Sequence, residues 1–286
     1  MAGHSNPLTP LRYPGGKSEF APYIKNIIQL NNLQGCEYLE PFAGGAGIAL
    51  DLLLNGYCKR IYINDLDLAI YHFWKSITQD TRAFLKLLQQ TPITIDEWYK
   101  QKEILNTPQN HSQLQHGFAA FFLNRTNRSG ILKAGVIGGK AQAGEYKLDA
   151  RFNKAKLTNR IQRIAECAHN IQVYNQDALI LLQKVDEIIP SNSLIYLDPP
   201  YYIKGQGLYR NFYTHKDHVD IKLSLDNIKQ NWIVSYDNCH EIKALYHNYR
   251  QDEYVLNYCA YHKKKGSEVV IYNHNLIYPN KEFLVA

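Results

Sequence analysis

Residues 37–65 constrain the fold most tightly. The apolar segment EYLEPF (37–42) runs into a glycine-rich turn, Ala43-Gly44-Gly45-Ala46-Gly47. IALDLLLNG follows with apolar residues at helical spacing, and Gly56 is placed to cap that helix. RIYIND then reads as a second strand that ends on Asn64-Asp65. A strand, a glycine turn, a helix and a strand closed by an acid form the opening unit of a doubly wound α/β sheet, which binds nucleotides at its carboxyl edge. Asp65 falls 21 residues after Gly44, about the distance at which an acid meets a ribose diol. The turn GGAG is not the dinucleotide fingerprint G-x-G-x-x-G, so a nicotinamide oxidoreductase is excluded. Glu40 also stands where it would repel a pyrophosphate. An adenosine ligand without phosphates fits better, and S-adenosyl-L-methionine is one.

The N-terminal stretch LRYPGGKS (11–18) ends like a phosphate-binding P-loop, but the spacing excludes one. Such a loop needs a glycine five positions before its last glycine, and that position is Leu11. Pro14 removes a backbone N–H that the loop would use. PGGK reads instead as a tight turn ending in Lys17.

Further sheet segments are IQVYNQDAL, SLIYLDPPYY (193–202) and NWIVSYDN (231–238), and the tail EYVLNYCAYHKKKGSEVVIYNHNL reads as a β-hairpin. Residues 66–122 are mostly helical: DLAIYHFWKSI, TRAFLKLLQQ, TIDEWYKQKEIL and HGFAAFFLNR. Residues 124–152 lack amphipathic period and are rich in Gly, Lys and Arg, and LTNRIQRIAECAHN returns to helix. The expectation is a Rossmann-like α/β sheet formed by residues 1–70 and 165–286, interrupted at 71–164 by an inserted, mainly helical lobe.

With 286 residues and 45% hydrophobic content the chain buries a full core. No run of roughly 18 apolar residues marks a membrane span, and the N-terminus lacks a signal-peptide layout. Five scattered cysteines with no Cys-x-x-Cys pair argue against a disulfide framework or a zinc site, and imply a reducing cytoplasm. His215 and His218 lack metal-ligand companions and read as solvated or locally bonded, so no metal is expected.

Charge is concentrated. The net charge is +6, yet residues 123–163 carry ten basic residues against Glu145 and Asp149, a net of +8, so the rest of the chain sums to −2. That segment is a candidate polyanion contact. Lys263, Lys264 and Lys265 at the expected hairpin tip are either a second contact or a solvated loop.

The sharpest chemical signal is Asp198-Pro199-Pro200-Tyr201, which follows an apolar strand and so lies at the carboxyl edge. The Asp198 carboxylate and the Pro199 carbonyl are two acceptors, which suit an exocyclic amine with two N–H donors. The Tyr201 ring suits a planar base. Accepting the amine's hydrogen bonds pushes its nitrogen toward a tetrahedral, reactive geometry.

Taken together, RYPGGK (12–17), EPFAGGAG (40–47), Asp65, FFLNRTNRSG (121–130), NQDAL (175–179) and DPPY (198–201) resemble the D12 class of N6-adenine DNA methyltransferases, the group that includes the Dam enzymes. The motifs occur in that family's order and span nearly the whole chain. The resemblance implies methyl transfer from S-adenosyl-L-methionine to N6 of an adenine flipped out of double-stranded DNA. It implies Asp198, Pro199 and Tyr201 as catalytic residues. It places Tyr13, Lys17, Glu40 and Phe42 at the cofactor, with Gly44 and Gly45 of the turn. It adds Asp65 at the ribose and Asp177 near the cofactor's adenine, with Asp198 also in reach. Tyr13 stands where Dam enzymes often have Trp and keeps an aromatic surface. In the insert, Asn124, Arg125, Asn127, Arg128 and Lys133 are the expected DNA contacts. No obligate protein partner is implied. RNA adenine or a protein amide nitrogen are alternative acceptors for the same chemistry, and a DNA-binding relative without catalysis is a third alternative.

Overall fold

The computed structural model describes residues 8–13, 16–203, 213–257 and 265–279. Pro14 and Gly15 of the expected turn, and Lys263 and Lys264 of the expected tip, lie outside them. Seven strands form one sheet: β1 (Cys36–Glu40), β2 (Cys58–Asn64), β3 (Ile171–Tyr174), β4 (Leu194–Leu197), β5 (Asn231–Asp237), β6 (Arg250–Asn257) and β7 (Lys265–Tyr272). Their order is β3-β2-β1-β4-β5-β7-β6. The first five are parallel, while β7 runs antiparallel between β5 and β6. The strand order reverses direction between β1 and β4. Loops leaving the carboxyl ends of these two strands therefore open a crevice, where ligands bind in such sheets.

The strands are apolar because both sheet faces are covered. Tyr38, Ile61, Leu194, Tyr196, Ile233 and Val270 belong to one buried cluster. Leu39, Tyr62, Ile195, Leu197, Val234 and Ile271 belong to the other. Successive residues thus alternate between the two faces, as strand geometry requires.

On the first face pack α1 (Ala21–Leu30), α2 (Gly47–Leu54) and α3 (Leu68–Gln79). Tyr23, Ile24, Ile27 and Ile28 of α1 recur at helical spacing and are all buried. The helices of the expected insert are α3, α4 (Thr81–Gln90), α5 (Ile95–Asn106), α6 (Gln113–Thr126) and α7 (Lys154–Glu166). Their Phe73, Trp74, Phe84, Phe118, Phe121 and Phe122 share the first cluster with the sheet. Helix α6 is buried along nearly all its length, between α3 and α5. The second face is covered by α8 (Ala178–Gln183), α9 (Val185–Ile188), α10 (His215–Leu225) and α11 (His240–Leu245).

Gly56 closes α2 with φ +73° as expected, and the Gly16 N–H donates to the Tyr13 carbonyl (3.0 Å) across the expected turn. His218 is buried and locally bonded, the second of the two expected states. Its Nδ1 lies 3.2 Å from the Tyr236 hydroxyl, and burial pushes its pKa down to about 4. Cys36 and Cys58, distant in sequence, are register partners on β1 and β2 with free thiols 3.8 Å apart. Among the described residues no helix is long and apolar enough to cross a membrane.

Candidate active site at the carboxyl edge

The glycine turn is built from β1, β2 and the N-terminal segment. Gly44 has φ +46°, and a Cβ placed there would lie 2.7 Å from ring carbons of Tyr13, so only glycine lets that ring lie over the turn. The Asp65 carboxylate accepts from Gly44 N–H (3.0 Å) through Oδ2 and from Asp67 N–H (2.8 Å) through Oδ1. Each oxygen keeps a second lone pair, and the residue is half-buried. Burial pushes the Asp65 pKa up to about 7. Trp74 Nε1–H donates to the Gly44 carbonyl (2.9 Å), tying α3 to the turn. Asn64 bonds the Pro41 carbonyl and both backbone groups of Gln176, which joins the ends of β1, β2 and β3.

Glu40 is buried. Its Oε1 accepts from the Tyr38 hydroxyl (3.0 Å) and from Ala49 N–H in the first turn of α2 (2.9 Å). Burial pushes its pKa up to about 8, and the nearby Asp198 charge adds to the rise. Asp177 caps α8 by accepting from Leu179 N–H (2.8 Å). Its charge reaches Tyr213, whose ring meets the Phe42 ring edge-on at 5.8 Å between centroids. Phe42, Tyr213 and Asp177 therefore sit together, and Gly45 packs against Tyr13.

Asp198 leaves the end of β4 with its side chain 24% exposed. Its Oδ1 accepts from Ser235 Oγ–H (3.0 Å) and lies 3.3 Å from the Lys17 ammonium. No described residue hydrogen-bonds its Oδ2. Burial pushes the Asp198 pKa up to about 6, while Lys17 and the Ser235 bond hold it down. The following turn is pinned by Asp237 at the end of β5, which accepts from Tyr202 N–H (2.8 Å) and Ile203 N–H (3.0 Å).

Lys17 is buried, and its ammonium meets Glu268 of β7 at 2.7 and 2.6 Å and Asp198 at 3.3 Å. Burial works against its charge, but the two carboxylates outweigh this and raise its pKa. Its protons are thus turned toward protein carboxylates. The Tyr201 hydroxyl donates to Glu268 Oε1 (2.8 Å), and Lys17 lies 5.4 Å from the centre of the Tyr201 ring.

The expected DNA contacts divide. Asn124 and Asn127 are buried, and their side chains bond inside the protein. Asn124 bonds both backbone groups of Arg12 and the Gly130 carbonyl. Asn127 takes the Trp98 indole N–H and bonds the Ile131 and Leu132 carbonyls. Arg125 is half-buried and donates to the Arg151 and Pro10 carbonyls. Arg128 and Lys133 are exposed.

Sequence reasoning missed Ser235, Asp237, Glu268 and Tyr213. Ser235 and Asp237 lie within a strand that was read correctly, and their positions two apart put both on the Tyr196 face. Glu268 carries no such signal, because Lys17 and Tyr201, its partners beside Asp198, are more than 60 positions away.

A seven-strand, mostly parallel sheet of this order, with an acid-lined glycine turn and an Asp-Pro-Pro-Tyr turn at its switch point, is a Rossmann-like α/β fold of the methyltransferase kind. The family model for D12 class N6 adenine-specific DNA methyltransferases matches residues 13–267, and the chain belongs to that family. It is similar to the Type II methyltransferase M.MjaIII of Methanocaldococcus jannaschii, with 26% identity over 67% of this chain and 68% of that protein. It is also similar to the modification methylase StsI of Streptococcus sanguinis, with 24% identity over 92% of this chain and 42% of that longer protein.

Proposed function

We propose that this protein transfers the methyl group of S-adenosyl-L-methionine to N6 of an adenine flipped out of double-stranded DNA. One observation carries the reading: Asp198 stands at the switch point with Oδ1 held by Ser235 and Lys17, while Oδ2 has no partner among the described residues.

The residues present fit the cofactor. Tyr13 closes over a turn that has no room for a side chain, Asp65 retains lone pairs for a diol, and Phe42 with Tyr213 offers aromatic surface beside Asp177. The acids Asp65, Asp177 and Asp198 at this edge suit a cationic ligand and not a polyphosphate. When bound, the cofactor supplies an electrophilic methyl on a sulfonium. Asp198 Oδ2 and the Pro199 carbonyl accept the two N6–H bonds, and so aim the nitrogen lone pair away from the base ring plane. As the new N–C bond formed and the methyl–sulfur bond broke with its electron pair left on sulfur, N6 would gain positive charge, which the Asp198 carboxylate would stabilise. Asp198 then takes the excess proton, as a carboxylate of pKa about 6 can, and passes it to water. Among the described residues no group of three or more His, Cys, Asp or Glu is placed to hold a metal.

The charge distribution supports a DNA substrate. Arg12, Arg125, Arg151 and Arg160 crowd together with no carboxylate paired to them among the described residues. Burial, then the charges of Arg12, Arg160 and Arg151, push the Arg125 pKa down to about 9. Carbonyls of Pro10, Thr9, Asn127 and Arg151 hold the guanidiniums of Arg12, Arg125 and Arg160 in place. Crowded cations are costly unless an anion covers them, and a phosphodiester backbone is such an anion. Backbone contacts would offset the few kcal/mol of unstacking that base flipping costs. The relatives' names, a type II methyltransferase and a modification methylase, favour the same reading and a place beside a restriction enzyme.

The test is transfer of labelled methyl to unmethylated genomic DNA and to total RNA, with the products digested to nucleosides. N6-methyldeoxyadenosine from DNA alone, abolished by Asp198→Ala with DNA retention intact, is the expected result. Label in RNA alone, or undiminished activity of Asp198→Ala, would overturn it.

A further inference from the structure

We infer that Glu268 is a positioning residue of this active site: it holds the Lys17 ammonium and the Tyr201 hydroxyl beside Asp198, and so keeps Asp198 Oδ2 open to the acceptor amine. The inference rests on the proposed role of Asp198.

Glu268 is 1% exposed and lies in the middle of three strands, opposite Asp237 on β5 and Tyr254 on β6. A buried carboxylate there is costly unless donors surround it. The donors are Lys17 on both oxygens, Tyr201 on Oε1 and Tyr254 on Oε2. Apolar residues of similar volume would stabilise a sheet interior as well or better, so the arrangement calls for another explanation. Its neighbour supplies one. Besides Glu268, the oxygens of described residues near the Lys17 ammonium are Asp198 Oδ1 at 3.3 Å and the Tyr201 hydroxyl at 3.5 Å. Glu268 takes the short contacts and leaves Asp198 a long one. Without the Glu268 charge, the ammonium would close onto Asp198, the remaining carboxylate, and occupy the acceptor that the substrate needs. Glu268 also accepts from Tyr201 while Asp237 holds the next two backbone N–H groups, so β7 and β5 fix the turn from one side.

Among the described residues, the charged and titratable groups around the pair are Lys17 from the N-terminal segment, Tyr196 of β4, Tyr201, Asp237 of β5, Tyr254 of β6 and Glu40 of β1, with the Ser235 hydroxyl on Asp198. The negative charge of Glu268 raises the Asp198 pKa. Neutralising it therefore lets Asp198 stay ionised to lower pH.

The experiment compares wild type with Glu268→Gln through two readouts. The first is independent of activity: competitive acetylation by acetic anhydride between pH 7 and 10, with peptide mass spectrometry of Lys17. A one-unit drop in pKa gives about tenfold more free amine, and several-fold faster labelling of Lys17 in the variant is expected. Unchanged labelling overturns the inference, even if the wild type moves no methyl to DNA and the proposed function fails. The second readout is the pH profile of methyl transfer. The expected result is kcat down roughly tenfold through lost alignment, KM for DNA unchanged, and the acid limb of kcat/KM moved to lower pH. Loss of kcat with an unmoved acid limb would mark a merely structural residue and overturn it. If Glu268→Gln does not fold, Glu268→Asp keeps the charge but withdraws it, and the same changes are expected in smaller degree. Glu268→Asp identical to wild type in both readouts would overturn it.

Discussion

Ser235 Oγ lies 3.0 Å from Asp198 Oδ1 and 2.7 Å from the Tyr196 hydroxyl. A carboxylate only accepts, so Ser235 must donate its one proton to Asp198 and accept from Tyr196. The chain of two hydroxyls fixes one oxygen of Asp198 and stabilises its charged form. Ser235→Ala should lower kcat roughly tenfold, as the carboxylate gains freedom to turn. It should also leave the buried Tyr196 hydroxyl without its acceptor, at a cost of about 1–3 kcal/mol in stability. Because the lost bond held the Asp198 pKa down, the acid limb of kcat/KM, near pH 6 in the wild type, should move to higher pH. That is opposite to the shift expected for Glu268→Gln. A stability loss with an unchanged pH profile would show that Ser235 serves packing alone.

Three carboxyls at this edge have pKa values raised by burial: Glu40 to about 8, Asp65 to about 7 and Asp198 to about 6. Their folded values exceed the unfolded ones, so between these the folded state binds more protons. Their contribution then makes stability fall as pH rises from about 4 toward 8. Glu40→Gln keeps an oxygen for Tyr38 and Ala49 and removes the ionisation. Relative to wild type, its melting temperature should be close to unchanged at pH 5 and higher at pH 8.5. The gain should be ~2–4 °C for each kcal/mol recovered. A difference that did not grow with pH would mean that Glu40 is not titrating in the folded protein.

The sheet and its chemistry were legible because both are local in sequence. Each parallel strand is a short apolar run, and EPFAGGAG, Asp65 and DPPY sit at strand ends where the fold must place them. The helices α1, α8, α9, α10 and α11 were not marked. In α10, HKDHVDIKLSL buries only His218, Ile221 and Leu225, too few apolar positions to announce a helix. The partners of Lys17 were not legible either. Glu268 reaches it only because the tail hairpin docks with β7 against β5, a pairing that no local pattern encodes. Asn124 and Asn127 misled for the opposite reason. Polar residues in a basic segment suggest contact with a nucleic acid, but here they satisfy buried backbone groups.

Gly44 tests the turn. Alanine there would adopt φ +46°, costing about 1–2 kcal/mol, and its methyl would overlap the Tyr13 ring. Relief requires moving either the ring or the turn, which carries the bonds to Asp65 and Trp74. Gly44→Ala should weaken S-adenosyl-L-methionine binding at least ~10-fold by calorimetry, about 1.4 kcal/mol. Adding Tyr13→Ala should restore part of the lost melting temperature, since the overlap is with that ring. If the double variant melts no higher than Gly44→Ala, the strain lies in the backbone and not against Tyr13.

Asn124 and Arg128 lie four residues apart, yet their substitutions should separate fold from DNA binding. Asn124→Ala leaves the Arg12 N–H, the Arg12 carbonyl and the Gly130 carbonyl without their present partner. Buried orphans of this kind place the cost at about 2–4 kcal/mol, read as a lower melting temperature with or without DNA. Arg128 is exposed, so Arg128→Ala should change stability by less than ~0.5 kcal/mol. If its guanidinium meets a phosphate, the slope of log K against log salt should shrink by about one. A slope unchanged in Arg128→Ala but reduced in Lys133→Ala would move the backbone contact along the loop. A slope unchanged in both would shift it to the arginine cluster around Arg125, where the phosphate would bridge the insert and the N-terminal segment instead.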